Sequence, residues 1–277
     1  MNRISNGVSN GTSDKTSNRT SDRISKAFEN QKALITFITG GDPNIETTEK
    51  LILAMAEAGA DIIEIGIPFS DPVAEGSVIQ EASIRALAGG CTTDLLFQMV
   101  ARLRTKTNVP LLFMTYANPI YAYGKDRFMS KCNEVGIDGI IVPDVPFEEK
   151  DEFESVCAQY NICLISLIAP TSGERVQMIA EEAEGFLYCV SSLGVTGTRS
   201  SINTNIAELI QEAKKVSSVP CVVGFGISAP EQARQMAALS DGVIVGSAIV
   251  KLVAEYGKNS IDPVAAFVKE MKNEMMR

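Results

Sequence analysis

The chain has 277 residues, of which 45% are hydrophobic and 21% are charged, and it contains neither histidine nor tryptophan. This composition is ordinary for a globular protein that buries a substantial core. Because histidine is the commonest general base and metal ligand, its absence excludes Ser-His-Asp and Cys-His catalytic sites and His-ligated zinc or iron. We therefore expect no metal site. Carboxylates, hydroxyls, backbone amides or a borrowed cofactor must carry any chemistry.

The formal net charge of −9 and the isoelectric point near 4.8 argue against nucleic acid or an anionic membrane as the main partner. Phosphate polymers need a basic face. The six cysteines form no Cys-x-x-Cys pair, so a zinc or redox motif has no support. No apolar stretch approaches the roughly 18 residues of a membrane span, and no signal peptide opens the sequence. We expect a cytoplasmic protein with reduced cysteines.

Residues 1–23 form a Ser/Thr/Asn-rich segment in which a tetrapeptide theme recurs over residues 12–23. Such a segment has too little apolar surface to offset its ordering entropy, so we predict a disordered extension. A transit peptide is the alternative, but Asp14 and Asp22 count against it because such peptides contain few acidic residues. The folded domain is expected to span residues 24–277.

Beyond this segment, short apolar runs alternate with Gly/Pro/Asp loops and amphipathic stretches. The runs are continuously apolar, which is typical of parallel strands buried on both faces. The predicted strands are Ala33–Thr39, Ile62–Ile67, Pro110–Thr115, Gly139–Val142, Cys163–Ile168, Phe186–Val190, Cys221–Val223 and Val243–Val245. The predicted helices are Glu46–Ala58, Ser77–Ala88, Thr92–Thr107, Asp126–Val135, Glu148–Gln159, Glu174–Ala183, Ile206–Val216, Pro230–Leu239 and Ala248–Tyr256.

Eight strand-then-helix units in about 250 residues match the number and size of a single (β/α)8 TIM barrel. An open, doubly wound sheet is the competing architecture. Its Gly-x-Gly-x-x-Gly fingerprint does not follow the first predicted strand. The sequence therefore favours one α/β barrel domain.

The loops after the last three predicted strands are rich in glycine, and in a TIM barrel these loops lie at the active-site end. Their sequences are Gly194-Val195-Thr196-Gly197, Gly224-Phe225-Gly226-Ile227-Ser228 and Gly246-Ser247. Such loops, with a following helix N-terminus, commonly hold a phosphate group through backbone N–H donors. We predict a phosphate site here. The alternative is that these glycines only permit tight turns.

Glu64 is the sharpest candidate for a catalytic residue. It lies in an apolar strand and shares a face with Ile62 and Gly66. Leaving it charged and unpaired in a barrel interior would cost several kcal/mol, so its pKa should rise toward the range useful for proton transfer. A buried salt bridge is the alternative, but no predicted strand contains Lys or Arg. The next loop adds Asp71 and Glu75, and a second acid near the first is what an acid/base pair requires.

Other barrel chemistries fit less well. A Schiff-base aldolase needs a lysine that projects from a strand, whereas Lys125, Lys150 and Lys251 lie in helix or loop stretches. A metal-dependent aldolase would need imidazole or a dense set of carboxylates. Glycoside hydrolysis with paired carboxylates is conceivable, although tryptophan is absent as a sugar platform. Of the reactions considered, proton transfer on a small phosphorylated substrate fits the sequence best.

Six strings together resemble the tryptophan synthase alpha subunit family, and the resemblance extends from Ser25 to the C-terminus. They are Phe37-Ile38-Thr39-Gly40-Gly41-Asp42-Pro43, Glu64-Ile65-Gly66-Ile67-Pro68-Phe69-Ser70-Asp71-Pro72, Tyr116-Ala117-Asn118-Pro119, Pro143-Asp144-Val145-Pro146, Gly194-Val195-Thr196-Gly197 and Gly224-Phe225-Gly226-Ile227. The resemblance implies retro-aldol cleavage of indole-3-glycerol phosphate to indole and glyceraldehyde 3-phosphate. It also implies an α2β2 tetramer with a beta subunit, which carries pyridoxal phosphate, and no cofactor in this chain.

The resemblance implies roles for individual residues. Glu64 matches the general acid/base that protonates the indole ring carbon, and Glu75 stands where the family has an aspartate that holds the indole N–H. The implied substrate-binding side chains are Phe37, Tyr116, Tyr188, Thr196 and Phe225. The implied phosphate-binding residues are Gly197, Gly226, Ile227, Gly246 and Ser247. The implied contacts with the partner subunit are Pro68, Asp71, Asn118 and Pro119.

Two departures from the family pattern stand in one loop: Glu75 replaces the usual aspartate, and Ser77 replaces a common proline. Three alternatives stay open at this point. One is a stand-alone lyase that releases free indole, another is a non-catalytic activator of the beta subunit, and a third is another phosphate-binding barrel such as a sugar-phosphate isomerase.

Overall fold

The computed structural model describes residues 20–190, 199–224 and 226–277, in which strands and helices alternate. The strands are β1 (Ala33–Thr39), β2 (Ile62–Gly66), β3 (Leu111–Met114), β4 (Gly139–Ile141), β5 (Cys163–Leu164), β6 (Ser166–Ile168), β7 (Leu187–Val190), β8 (Cys221–Gly224) and β9 (Gly242–Val245). The helices are α1 (Thr20–Lys26), α2 (Ile45–Glu57), α3 (Ser77–Ala88), α4 (Thr93–Arg104), α5 (Ala117–Tyr123), α6 (Lys125–Val135), α7 (Asp151–Gln159), α8 (Arg175–Glu181), α9 (Arg199–Lys214), α10 (Pro230–Leu239), α11 (Ser247–Tyr256) and α12 (Ile261–Met275).

The strands form one parallel sheet in the order β5-β4-β3-β2-β1-β9-β8-β7-β6. The first and last strands in this order are separated along the chain by Ile165 alone, whose N–H donates to the Ile140 carbonyl at 2.9 Å. The predicted strand Cys163–Ile168 is therefore one interrupted strand that pairs with β4 through its first part and with β7 through its second. The sheet closes on itself, and the predicted TIM barrel is confirmed.

Apolar side chains cover both faces of the sheet, one toward the barrel interior and one toward the helices. An interior cluster includes Ile62, Leu112 and Val222, while a larger outer cluster packs strand residues such as Ile63 and Phe113 beneath the helices. Strands buried on both faces explain why the apolar runs are continuous rather than alternating.

Helix α1 closes the amino-terminal end of the barrel. Ile24 is fully buried in the interior cluster, and Arg23 Nε donates to the buried Asp138 carboxylate at 2.6 Å. The helix begins at Thr20, so ordered structure starts four residues before the predicted domain boundary at residue 24. The composition of this segment does not indicate that Arg23 pairs with a buried carboxylate, so the sequence places the boundary later. The rest of the predicted extension, residues 1–19, lies outside the described residues.

Two further helices lie outside the predicted elements. In α5, Pro119 stands in the first helical turn, where a missing N–H costs no helical hydrogen bond, although Asn-Pro is typical of a turn. Helix α12 buries Val264, Val268 and Met271 along one face and packs against α2 and α10. This last helix completes the outer layer beside β1.

Candidate active site

A cavity of about 340 Å³ lies where several strands end and their following loops begin. It is lined by strand residues and loop residues, which are Phe37, Glu64, Ala74, Glu75, Gly76, Ile79, Met114, Tyr188, Gly226, Ile227, Ser228, Ile244, Gly246, Ser247, Ala248 and Lys251. The carboxyl end of the strands is where TIM barrels place their active sites. The cavity brings together eight of the twelve residues predicted to be catalytic, substrate-binding or phosphate-binding.

Glu64 lies in β2, between Phe37 of β1 and Leu112 of β3 in the strand register. Its side chain is fully buried, and neither carboxylate oxygen has a hydrogen-bond partner among the described residues. Burial disfavours the charged form and raises the pKa of Glu64 to about 8. At neutral pH this side chain is therefore a carboxylic acid that can donate a proton into the cavity.

Glu75 lies in the loop that precedes α3 and supplies the second acid. Burial raises the pKa of Glu75, whereas a hydrogen bond from the Tyr116 hydroxyl lowers it, and burial is the larger effect. Its Oε2 atom is buried without a partner among the described residues. The site therefore holds two acids in different surroundings, one without a described partner and one held by a tyrosine.

The rings of Phe37 and Tyr188 form part of the cavity wall. Two glycines make room for them. A Cβ atom at Gly66 would lie 2.6 Å from Phe37 Cζ, and a Cβ atom at Gly224 would lie 2.6 Å from Tyr188 Cε1. A side chain at either position would displace a ring, so the glycines of β2 and β8 shape the space beside Glu64.

The cavity lining also includes residues of the loops that follow β8 and β9. Gly226 and Ile227 follow β8, and α11 begins at Ser247 directly after Gly246. No side chain in the described parts of the chain caps α11. The first N–H groups of a helix have no partner within the helix and form its positive end, so this part of the cavity suits an anion.

Several predicted site residues have a different placement. Thr196, Gly197 and Phe225 lie outside the described residues. Tyr116 is buried but does not line the cavity; it touches the site through the loop that carries Glu75. Sequence reasoning missed Lys251, which lines the cavity. The available signal was its spacing of four residues from Ser247 on one helix, which places both on the same face.

The four residues predicted to contact a partner differ in exposure. Asp71 and Asn118 are exposed and Pro119 is partly exposed, but Pro68 is buried. Pro68 directly follows Ile67, whose N–H donates to the Met114 carbonyl at 2.9 Å, and its role as a partner contact stays a prediction. The same loop exposes an apolar side chain at Val73, which is 78% exposed.

The six cysteines are all buried and free of disulfide bonds. Within the described parts of the chain, no group of three or more His, Cys, Asp or Glu side chains could hold a metal ion.

A TIM barrel with two acids in one cavity, faced by glycine-rich loops and a helix N-terminus, defines a barrel enzyme that moves protons on a small phosphorylated substrate. The family model for the tryptophan synthase alpha chain matches residues 24–276. The chain belongs to this family.

Individual relatives agree with the family match. The tryptophan synthase alpha chain of Alkaliphilus metalliredigens is 46% identical over 245 residues, which cover 87% of this chain and 92% of that protein. The structure of tryptophan synthase subunit alpha from Legionella pneumophila has a TM-score of 0.83 at 38% identity and covers 92% of this chain and 98% of that one. A tryptophan synthase complex from Pyrococcus furiosus has a TM-score of 0.79 at 35% identity, with coverages of 87% and 98%.

Membership assigns the activity. Alpha chains of tryptophan synthase are carbon–carbon lyases of tryptophan biosynthesis that cleave indole-3-glycerol phosphate to indole and glyceraldehyde 3-phosphate. The pyridoxal phosphate of tryptophan synthase belongs to the beta subunit rather than to this chain.

Proposed function

We propose that Glu64 and Glu75 carry out the cleavage of indole-3-glycerol phosphate in the 340 Å³ cavity. The observation that carries this proposal is the fully buried Glu64 carboxyl, which has no hydrogen-bond partner among the described residues and lies in the same cavity as a second acid. The cavity volume is within the range of about 300–1,000 Å³ that is usual for small-molecule sites. Phe37 and Tyr188 offer apolar surfaces against which the indole ring packs.

The proton transfers follow from the two environments. Glu64 in its acid form donates a proton to C3 of the indole ring, and the Glu75 carboxylate holds the ring N–H and stabilises the positive charge that forms on this nitrogen. The bond between C3 and the glycerol chain then breaks, and its electron pair returns to the ring. The hydroxyl on the departing carbon loses its proton to Glu64 and becomes the aldehyde. Indole is its own electron sink, so the step requires no lysine.

In this proposal the phosphate group of the substrate binds at the loops that follow β8 and β9. Backbone amides of Gly226, Ile227, Gly246 and Ser247 are the donors in this proposal, and Gly197 adds to them. Support comes from the uncapped N-terminus of α11 at the cavity wall. Thr196 and Phe225 complete the substrate-binding set.

The partner in this proposal is the tryptophan synthase beta subunit in an α2β2 tetramer. Pro68, Asp71, Asn118 and Pro119 contribute to the contact in this proposal, and the exposed Val73 gives the same surface an apolar element. The structural similarity to a chain of the Pyrococcus furiosus tryptophan synthase complex supports this assembly.

In the described parts of the chain, no helix is long and apolar enough to cross a membrane. We place the protein in the cytoplasm, where six free cysteines stay reduced. The barrel domain carries the activity.

The test is indole release from indole-3-glycerol phosphate by the purified chain, measured with and without a beta subunit. Indole release that increases with the beta subunit supports the proposal. Release that does not respond to the beta subunit identifies a stand-alone lyase. Stimulation of the beta subunit without any cleavage identifies a non-catalytic activator. Turnover of a sugar phosphate instead would identify another phosphate-binding barrel.

A further inference from the structure

Lys251 lines the active-site cavity from α11, and it is the one cationic side chain among the described lining residues. The side chain is exposed, and it forms no ion pair with any described residue. Its neighbour one turn on, Glu255, instead hydrogen-bonds Tyr256. The cavity also contains two acids, and the chain has a net charge of −9. Lys251 therefore places a positive charge in a part of the molecule where acidic groups predominate.

Lys251 lies one helical turn after the N-terminus of α11. Ser247 is the first residue of α11 and Lys251 is four residues later, so both lie on one face. Side chains on a helix lean toward its N-terminus, which carries the long lysine stem back over the turn that holds Ser247. A cation near the positive end of a helix is unfavourable. An anion bound between Lys251 and the N-terminus of α11 would offset this repulsion.

We infer that Lys251 binds the phosphate of the substrate and thereby selects phosphorylated over unphosphorylated indole glycerol. This inference rests on the proposed function. The amides at the start of α11 orient the phosphate oxygens, and Lys251 supplies the only full positive charge among the described lining residues. The phosphate stays bound to the departing three-carbon fragment throughout the reaction, so the lysine contributes to binding rather than to the proton transfers.

The test compares Lys251→Met with the wild-type chain on indole-3-glycerol phosphate and on indole-3-glycerol, which lacks the phosphate. Lys269→Met is the matched control, since Lys269 is exposed on α12 away from the cavity and its loss changes the net charge equally. We expect Lys251→Met to raise KM for the phosphorylated substrate about fivefold, the size of one partly exposed charge contact, with kcat little changed. Lys251→Arg should restore most of the affinity.

Binding of sn-glycerol 3-phosphate, measured by calorimetry or NMR titration, provides a readout that needs no turnover. Weaker binding by Lys251→Met than by Lys269→Met supports the inference even if the wild-type chain fails to cleave indole-3-glycerol phosphate, an outcome that would reject only the proposed function. Equal affinities of Lys251→Met and the wild type overturn the inference. An equal loss with indole-3-glycerol also overturns it, because the effect would then not depend on the phosphate.

Discussion

The hydroxyl of Tyr116 donates a hydrogen bond to the carboxylate of Glu75, across 41 residues of sequence. The same hydroxyl oxygen accepts a hydrogen bond from the Ala74 N–H at 3.2 Å. Tyr116 is only 2% exposed, so its ring is fixed by packing. One tyrosine thus orients the loop and the second acid of the site.

Replacing Tyr116 by phenylalanine should reduce indole release without unfolding the chain. The variant removes the hydrogen bond that holds Glu75 and leaves Ala74 without this acceptor, so the pKa of Glu75 should rise further. We expect a fall of about tenfold in kcat/KM, the cost of about one hydrogen bond to a charged group. Tyr123→Phe is the control, since its hydroxyl bonds the exposed Asp94. Equal activities of both variants would show that Tyr116 does not position Glu75.

The length of the acid at position 75 is a second test. Because Glu75 keeps a carboxylate in the cavity, we expect Glu75→Asp to stay within tenfold of the wild type in indole release, whereas Glu75→Gln should lose most activity. Kinetics with indole-3-glycerol phosphate would measure both. A gain of tenfold or more in Glu75→Asp would mean that the longer side chain is a poor substitute for aspartate.

The buried Glu64 should make stability depend on pH in an unusual direction. Burial raises the folded-state pKa from 4.5 to about 8, so between these values the unfolded chain releases a proton that the folded chain retains. This contribution to the free energy of unfolding therefore falls as pH rises through that window, by up to about 1.4 kcal/mol per pH unit. Glu64→Gln has no such proton, and its stability relative to the wild type should increase from pH 5 to pH 8.

Urea unfolding of both proteins at the two pH values would measure this difference. A difference in stability that stays the same at pH 5 and pH 8 would indicate that Glu64 ionises in the folded protein as it does in the unfolded chain.

Asp138 should be a major source of stability. Its buried carboxylate accepts hydrogen bonds from Arg23 Nε and Arg104 Nη2, each at 2.6 Å, and from the Leu111 N–H at 2.8 Å. Asp138→Asn leaves Arg104 buried without its counter-charge, and we expect a loss of about 3 kcal/mol in the free energy of unfolding. Glu134→Gln, which breaks an exposed pair with Lys131, should cost less than about 0.5 kcal/mol. Chemical denaturation of both would show whether the costs differ.

Much of the fold follows from local pattern. The strand β1 is predicted with its observed bounds because each of its side chains is buried, and all of its residues except Thr36 and Thr39 are apolar. Glu64 was recognisable as a site residue for the same reason, since a carboxylate in such a run has few structural explanations. Helix α5 was missed because Asn118 and Pro119 are equally typical of a turn and of a first helical turn.

The rest depends on contacts between distant residues. Nothing local to Tyr116 or Glu75 indicates that their side chains meet. Lys251 has the appearance of a solvated helical lysine until α11 is placed against the cavity. These contacts form only when the barrel closes. Sequence periodicity predicts the order of strands and helices, but it does not predict which distant side chains meet.

The central claim is that Glu64 donates the proton that cleaves the substrate. It is tested most directly by the rate of indole release from indole-3-glycerol phosphate by Glu64→Gln, with the exposed Glu57→Gln as the matched control. Glutamine preserves the shape of the side chain but cannot donate and recover the proton, so we expect a fall of at least about 100-fold, while the control keeps wild-type activity. Undiminished indole release by Glu64→Gln would contradict the assignment.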